Sequence, residues 1–205
     1  MNERYLLITA ISAILLAVLF PIYWVNEFWQ ISETGGAAVY QNISTLSAGD
    51  LVFLIIGALG VFIYLGLKRF LNQRYAYHSA DLILILLAVT TAVFTLGTLF
   101  MDVINHFFGD QLFLSWHMGS YNGVTVSLFI SLIVFGVLDV VLGILLITHA
   151  KQMSGPMLAF AILTLIQGIV EITVIFALST IFIYPLAMLV LAVNLLSRPQ
   201  ELEVV

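Results

Sequence analysis

Long apolar runs with almost no charge are the feature that most constrains this chain. Each run is about 20 residues long, which is the length of helix that crosses the hydrocarbon core of a bilayer. The runs do not alternate between polar and apolar residues as the strands of a membrane β-barrel would. They therefore predict an all-α, polytopic membrane protein.

The overall composition agrees with this interpretation. The 205 residues are 62% hydrophobic and 8% charged, whereas a soluble domain carries about 25% charged residues. Such a chain cannot cover a surface that faces water, so we expect one transmembrane domain over residues 1–205. The chain contains no cysteine, which excludes disulfides, thiolate metal sites and a cysteine nucleophile.

Six membrane spans fit the length of the chain. The segment from Pro156 to Asn194 would measure about 58 Å as one helix, nearly twice the thickness of the hydrocarbon core, so it must fold back. Ser179 and Thr180 are the predicted turn. A secretory signal peptide competes with the first span, but that run is long and lacks a clean cleavage site. The predicted spans cover residues 5–25, 50–67, 80–101, 124–148, 156–178 and 181–196, with an outer loop over 26–49.

The distribution of basic residues supports six spans. All six fall on one side of this layout: Arg4, Lys68, Arg69, Arg74, Lys151 and Arg198. The positive-inside rule makes that side cytoplasmic, with both termini inside. A five-span layout would move Arg198 outside. We therefore expect a multi-pass protein of the cell membrane, which would be the inner membrane in a bacterium.

Glu171 is the first candidate for a functional residue, because it lies inside an apolar run. Gln167 and Thr164 share its helix face at spacings of four and seven. A charged carboxylate within the bilayer costs on the order of 3 kcal/mol, and no predicted span supplies a basic partner. Glu171 must then carry a proton, face water or bind a cation. The alternative is a protonated residue that holds helices together through Gln167 or a hydroxyl.

Asp139 is the second intramembrane acid, and Gly136 and Gly143 flank it on one helix face. Helix rise predicts a depth that differs from that of Glu171 by about 7 Å or more. This favours two separate stations along a path, or two unrelated structural acids, over one shared pair. The structural alternative is a tight helix crossing in which Asp139 bonds to a neighbouring polar group.

A hydroxyl stripe runs along predicted span three. Thr91, Thr95, Thr98 and Asp102 follow one another at steps of four, three and four, and His106 with Asn105 extends the face to the outer rim. The stripe suggests the polar wall of an outward-opening cavity at the depth of Gln167 and Glu171. Alternatively it is a packing face, because threonine hydroxyls can bond to carbonyls of the preceding turn.

No metal or cofactor is predicted. Asp102, His106, Asp110 and His117 could form a carboxylate–imidazole site at the outer rim, but they lack a recognised ligand spacing. Haem would need facing histidine pairs within the spans, whereas the histidines lie at helix ends. Nucleophile-elbow, zinc-protease and phosphate-loop motifs are also missing from the sequence.

The leading functional hypothesis is a small transporter or permeation protein, coupled to protons or cations through the intramembrane carboxylates. The alternative is a non-catalytic subunit, sensor or immunity-type protein that binds a partner through its glycine-lined helix faces. An intramembrane enzyme that uses Asp102, His106 and Glu171 is the least favoured. The expected partners are the lipid bilayer and either a second copy or another membrane subunit, and nothing indicates nucleic acid.

Overall fold

The computed structural model describes residues 3–34, 46–174 and 176–197, with the backbone alone at 31, 34, 105 and 108–128. Throughout these ranges the regular structure is helical, which confirms the predicted all-α class. Two short 3-10 helices, Ala150–Gln152 and Ala177–Ser179, precede the last two α-helices. The α-helices are α1 (Glu3–Thr34), α2 (Ala48–Tyr75), α3 (Asp81–Thr148), α4 (Gly155–Ile172) and α5 (Thr180–Leu196).

Six segments of these helices are long and apolar enough to cross a membrane, as predicted. Their number and hydropathy indicate a multi-pass membrane protein. Helix α3 supplies two of the segments, and each other helix supplies one. Spans one to six are Glu3–Gln30, Ala48–Tyr75, Asp81–Ile104, Phe129–Thr148, Gly155–Ile172 and Ala177–Leu196.

Helix α3 folds back on itself. A straight helix of its 68 residues would measure about 100 Å, yet the rings of Phe94 and Phe135 are 6.2 Å apart. The hydroxyl of Tyr77, just before α3, donates to the carbonyl of Leu145 near its other end at 2.8 Å. Burial raises the pKa of Tyr77, so this hydroxyl remains a neutral donor. Spans three and four are therefore antiparallel neighbours.

The predicted spans leave residues 102–123 as a short loop between spans three and four. The backbone is helical through residues 102–123. This segment contains no proline, so no residue within it prevents helical hydrogen bonding. Its polar residues suggested a loop, although polarity alone does not exclude a helix.

Helix α1 also extends beyond its predicted end. It continues to Thr34, so the first part of the predicted outer loop 26–49 is helical. Pro21 lies inside the helix without ending it. The rings of Trp24 and Phe28, four residues apart, lie 5.9 Å from each other, and such contacts stabilise a helix.

The reversal between spans five and six occurs earlier than predicted. Helix α4 ends at Ile172, and Val174 adopts a left-handed backbone with φ of 56°. The predicted turn at Ser179 and Thr180 is wrong, because Ser179 ends the 3-10 helix Ala177–Ser179 and Thr180 begins α5 directly after it. Thr180 Oγ1 donates to the carbonyl of Ala177 at 2.6 Å. The left-handed conformation is usually a glycine or asparagine position, so this valine did not signal a turn.

The helices pack in a closed ring. Helix α1 contacts α2 and α5, α2 contacts α3, and α4 contacts both α3 and α5. The core is apolar and its largest buried side chains come from every span, as with Leu16, Leu67, Leu84, Leu142, Met157 and Leu191. Many large aliphatic and aromatic side chains remain exposed on the outside, as is typical of a surface that faces lipid.

Contacts between helix ends gather the described basic residues at one end of the bundle. The Arg69 guanidinium lies 4.9 Å from the centre of the Tyr5 ring. Arg74 Nη1 donates to the carbonyl of Ser197 at 3.1 Å, and the Tyr75 hydroxyl donates to Ser154 Oγ at 3.1 Å. We call this end of the bundle, where Arg4, Lys68, Arg69, Arg74 and Lys151 lie, the basic end. The opposite end, with Glu27, Asp50 and Asp102, is the acidic end.

Candidate functional site

Spans four and five cross in direct backbone contact, and glycines make the contact possible. A Cβ atom at Gly168 would lie 2.5 Å from the carbonyl oxygen of Gly136 and 2.6 Å from the amide nitrogen of Val140. A Cβ atom at Gly143 would lie 2.8 Å from Cβ of Leu165. Small residues allow such close crossing of membrane helices. The tight, glycine-flanked crossing expected around Asp139 is therefore present.

Gln167 connects the two intramembrane acids across this crossing. Its Nε2 donates to Asp139 Oδ2 at 3.0 Å and to Glu171 Oε1 at 3.1 Å. The amide nitrogen carries two hydrogens, so each carboxyl group receives one. All three side chains are buried. We call Asp139, Gln167 and Glu171 the carboxyl cluster.

The two acids share one amide donor, a link that the sequence interpretation of two stations or two unrelated acids did not include. Gln167, and not Glu171, lies opposite Asp139, and its side chain reaches across to Asp139 and along its own helix to Glu171. Helix rise measures the depth of the backbone and omits the reach of a side chain. A difference in depth of one helical turn is therefore compatible with a shared amide.

One carboxyl oxygen of the cluster accepts no hydrogen bond from the described residues. This atom is Oε2 of Glu171, which is buried, in a side chain that is 7% exposed. A buried polar atom without a partner costs about 1–3 kcal/mol. No described lysine or arginine forms an ion pair with Asp139 or Glu171. Oε2 is thus a fully buried oxygen of the cluster that is open to a further donor.

Two tyrosines border the carboxyl cluster. Tyr64 of span two and Tyr184 of span six both lie close enough to Asp139 and Glu171 for the charges of these acids to act on them. The ring of Tyr184 also packs on Phe20 of span one, with centroids 4.7 Å apart. The sequence interpretation missed both residues. The available signal was their position within apolar runs, because membrane tyrosines usually lie at the interfaces.

The threonine stripe faces span two. A Cβ at Gly57 would collide with the Thr95 side chain, and one at Gly60 would lie 3.3 Å from Thr91 Cγ2. Thr91 Oγ1 donates to the carbonyl of Leu87 at 2.8 Å. Thr98 makes the same kind of bond to Phe94 at 2.9 Å. These contacts have the form of the packing-face alternative, and a part for the stripe in an ion pathway stays a prediction.

Asp102 and His106 lie nearer the acidic end. Asp102 is buried, and the negative charge of Asp50 lies near enough to act on its carboxyl group. His106 is exposed, beside the ring of Phe107. No contact among the described side chains joins either residue to the carboxyl cluster. Thr164, which shares the face of Gln167, bonds instead to the carbonyl of Phe160 at 2.9 Å.

The described part of the chain does not support the alternative of a metal site. Within it, no three histidine, aspartate or glutamate side chains are grouped so that they could hold a metal. Asp110 and His117 of that alternative lie outside the described side chains.

A second polar network lies at the basic end. Ser154 Oγ donates to Asn194 Oδ1 at 2.6 Å, and Asn194 Nδ2 contacts Met157 Sδ at 3.1 Å. Because Tyr75 donates to Ser154, the network ties span two, the start of span five and the end of span six together. Every link in it joins helix ends, so we interpret it as structural.

The arrangement of the carboxyl cluster permits two kinds of chemistry: exchange of a proton at a carboxyl oxygen, or binding of a small cation between carboxyl groups. Its distinguishing features are the shared amide, the unpaired Oε2 and burial near the middle of the bundle. Comparisons of the chain with protein-family models, with curated proteins and with solved structures found no match.

Proposed function

We propose that this protein is a small transporter or permeation protein of the cell membrane, coupled to protons or cations through Asp139 and Glu171. The observation that carries the proposal is a buried carboxyl pair that shares one amide and has no described basic partner. Ionisable residues within membrane spans are expensive, and they typically mark ion or substrate pathways.

The position of each carboxyl suggests an order along the pathway. Glu171 lies in the last turn of span five, next to the reversal at the acidic end. Asp139 lies near the middle of span four. An ion that enters from the acidic end would reach Glu171 first and Asp139 second. Asp102 and His106 are the proposed outer part of this route, and Thr91, Thr95 and Thr98 support its wall by packing on span two.

The orientation of the pathway follows from the charges at the helix ends. By the positive-inside rule the basic end faces the cytoplasm, which places both termini there. The acidic end then faces the outside, and the proposed route begins at that surface.

Flux through liposomes tests the proposal. The full chain is reconstituted around a pH-sensitive dye, and an imposed pH or cation gradient is then released. We expect Glu171→Gln and Asp139→Asn to lower flux at least about tenfold, which corresponds to about 1.4 kcal/mol in the barrier. Glu33→Gln, which alters an exposed acid at the end of α1, is the matched control. Flux in Glu171→Gln equal to that of the unaltered chain would refute coupling through the cluster.

The partner-binding alternative keeps one observation in its favour. The glycines that motivated it are used within the chain: Gly57, Gly60, Gly136, Gly143 and Gly168 all face neighbouring helices. Gly97 of span three has no neighbouring atom within 4 Å of a built Cβ, so it could admit another helix. A stable dimer of the purified chain that Gly97→Leu converts to monomer would favour this alternative.

The enzyme alternative has no comparable support. It requires Asp102, His106 and Glu171 to act together, and no described contact links them.

A further inference from the structure

We infer that the group exchanged at the carboxyl cluster is a proton, taken up on Oε2 of Glu171, and not a metal cation. For its role in transport this inference rests on the proposed function, to which it adds the identity of the coupling ion. It is carried by the placement of Gln167 between the two acids and by the unpaired oxygen of Glu171.

The space between the two acids is already filled by a hydrogen-bond donor. Gln167 Nε2 lies 3.0 Å from Asp139 Oδ2 and 3.1 Å from Glu171 Oε1. A cation that bridged the same two oxygens would meet the positive edge of this amide. A hard cation such as calcium also takes about six to eight oxygen ligands. The two carboxyl groups supply four oxygens, and two of them already accept N–H bonds.

The amide suits hydrogen exchange in either of its two orientations. As described, its N–H groups serve two acceptor oxygens, as ionised carboxylates require. If the amide turns over, Gln167 Oε1 takes the position of Nε2, and the acids must then donate O–H groups to it. Both arrangements place hydrogen between the amide and the acids. The second arrangement needs a proton on Asp139 Oδ2 and on Glu171 Oε1, whereas uptake of one proton on Oε2 leaves the described orientation of the amide unchanged.

Glu171 Oε2 is where an added proton has room to bind. Uptake forms one O–H bond at Oε2 and breaks one O–H bond of a hydronium ion, which leaves as water, so the negative charge of the cluster falls by one. No bond to another residue has to break, since the described residues donate nothing to this atom.

The spans around the carboxyl cluster contribute no other basic side chain that could take the proton in place of Glu171. The titratable groups that face the cluster are Tyr64 and Tyr184, besides the two acids themselves. Spans one and three contain no titratable side chain over residues 6–22 and 82–101. Lys68 and Arg69 lie at least one turn beyond Tyr64 toward the basic end, and Arg69 packs on Tyr5.

Infrared difference spectroscopy tests this inference on the purified full chain in lipid. The carbonyl stretch of a protonated carboxyl is followed while pH is lowered, in sodium, potassium and choline salts. We expect a buried-carboxyl band that titrates with the same midpoint in all three salts. The band should disappear in Glu171→Gln and remain in Glu33→Gln. Labelling the glutamate carboxyls with carbon-13 should shift the band in the unaltered chain, which identifies it even if Glu171→Gln does not fold.

Two results would overturn the inference. One is the absence of a titrating glutamate band over the range of pH in which the chain stays folded. The other is a midpoint that falls as sodium rises, by about one pH unit for each tenfold increase, since a bound cation displaces the proton one for one. A chain that shows the expected titration but carries no flux would refute the transport function alone. Flux together with a sodium-dependent midpoint would refute the proton alone.

Discussion

Gly168 is the residue on which the carboxyl cluster depends most directly, although it bears no side chain. It precedes Glu171 by less than one turn and follows Gln167 at once. Because it has no Cβ, the backbone of span four reaches it at Gly136 and Val140. That approach brings Asp139 within hydrogen-bonding distance of Gln167. The position of the acids thus follows from the close crossing of two helices.

Substitution at Gly168 should separate the two helices. We expect Gly168→Ala to lower the free energy of unfolding by about 1–3 kcal/mol, because the added methyl group meets backbone atoms that cannot yield without moving a helix. Gly97→Ala is the matched control: its methyl group would lie in open space, and its effect should stay within about 0.5 kcal/mol. Thermal unfolding in detergent measures both. Equal effects of the two variants would contradict the tight crossing.

Spacing along one helix predicted the relation of Gln167 to Glu171, and the structure contains it as a hydrogen bond. The partnership with Asp139 was not predictable, because it depends on how two helices rotate and cross. The same reason explains why the threonine stripe was expected beside Glu171 but packs on Gly57 and Gly60. Periodicity identifies a face, and the neighbour of that face is decided by packing.

At the scale of helices and turns, the reversal between spans five and six is the feature that local sequence predicts least well. Val174 holds a left-handed backbone, which costs a residue with a Cβ about 1–2 kcal/mol. Neighbouring packing maintains this conformation against the local preference. Span number was easier to predict, because it follows from the length of apolar runs.

Relief of this backbone conformation should be measurable. We expect Val174→Gly to raise the free energy of unfolding by about 1 kcal/mol, since glycine adopts positive φ without a steric penalty. Thr173→Gly is the control at the neighbouring position, where φ is −72°, and there glycine should destabilise the chain by about 1 kcal/mol. Chemical unfolding of both variants in the same detergent would show opposite signs. A loss of stability in Val174→Gly would mean that its side-chain packing outweighs the backbone term.

At the scale of the whole molecule, the separation of charge between the two ends is the property most accessible from the sequence. The predicted side for the basic residues agrees with the contacts of Arg69 and Arg74 at one end. Arg198 lies outside the described residues. The pairing of helices around the ring was not predictable from charge, because the described basic residues all lie toward one end of the bundle.

Labelling from the two sides of the membrane tests the orientation. The chain has no cysteine, so single cysteines can be introduced at exposed positions of opposite ends, Gln152→Cys and Thr173→Cys. In intact cells, an impermeant maleimide should label Thr173→Cys, and it should label Gln152→Cys only after the membrane is opened. Labelling of both variants from the same side would contradict a crossing of the membrane by span five.

The contact between spans one and six has a consequence for the order of assembly. Phe20 packs on Tyr184, so the wall beside the acids closes only when a helix inserted early meets one inserted late. Asp139 enters the bilayer before Gln167, which follows it by 28 residues. During that interval the acid lacks its amide donor, at a cost on the order of 3 kcal/mol if it is charged. The two acids and their shared amide are therefore assembled only after span five has joined span four.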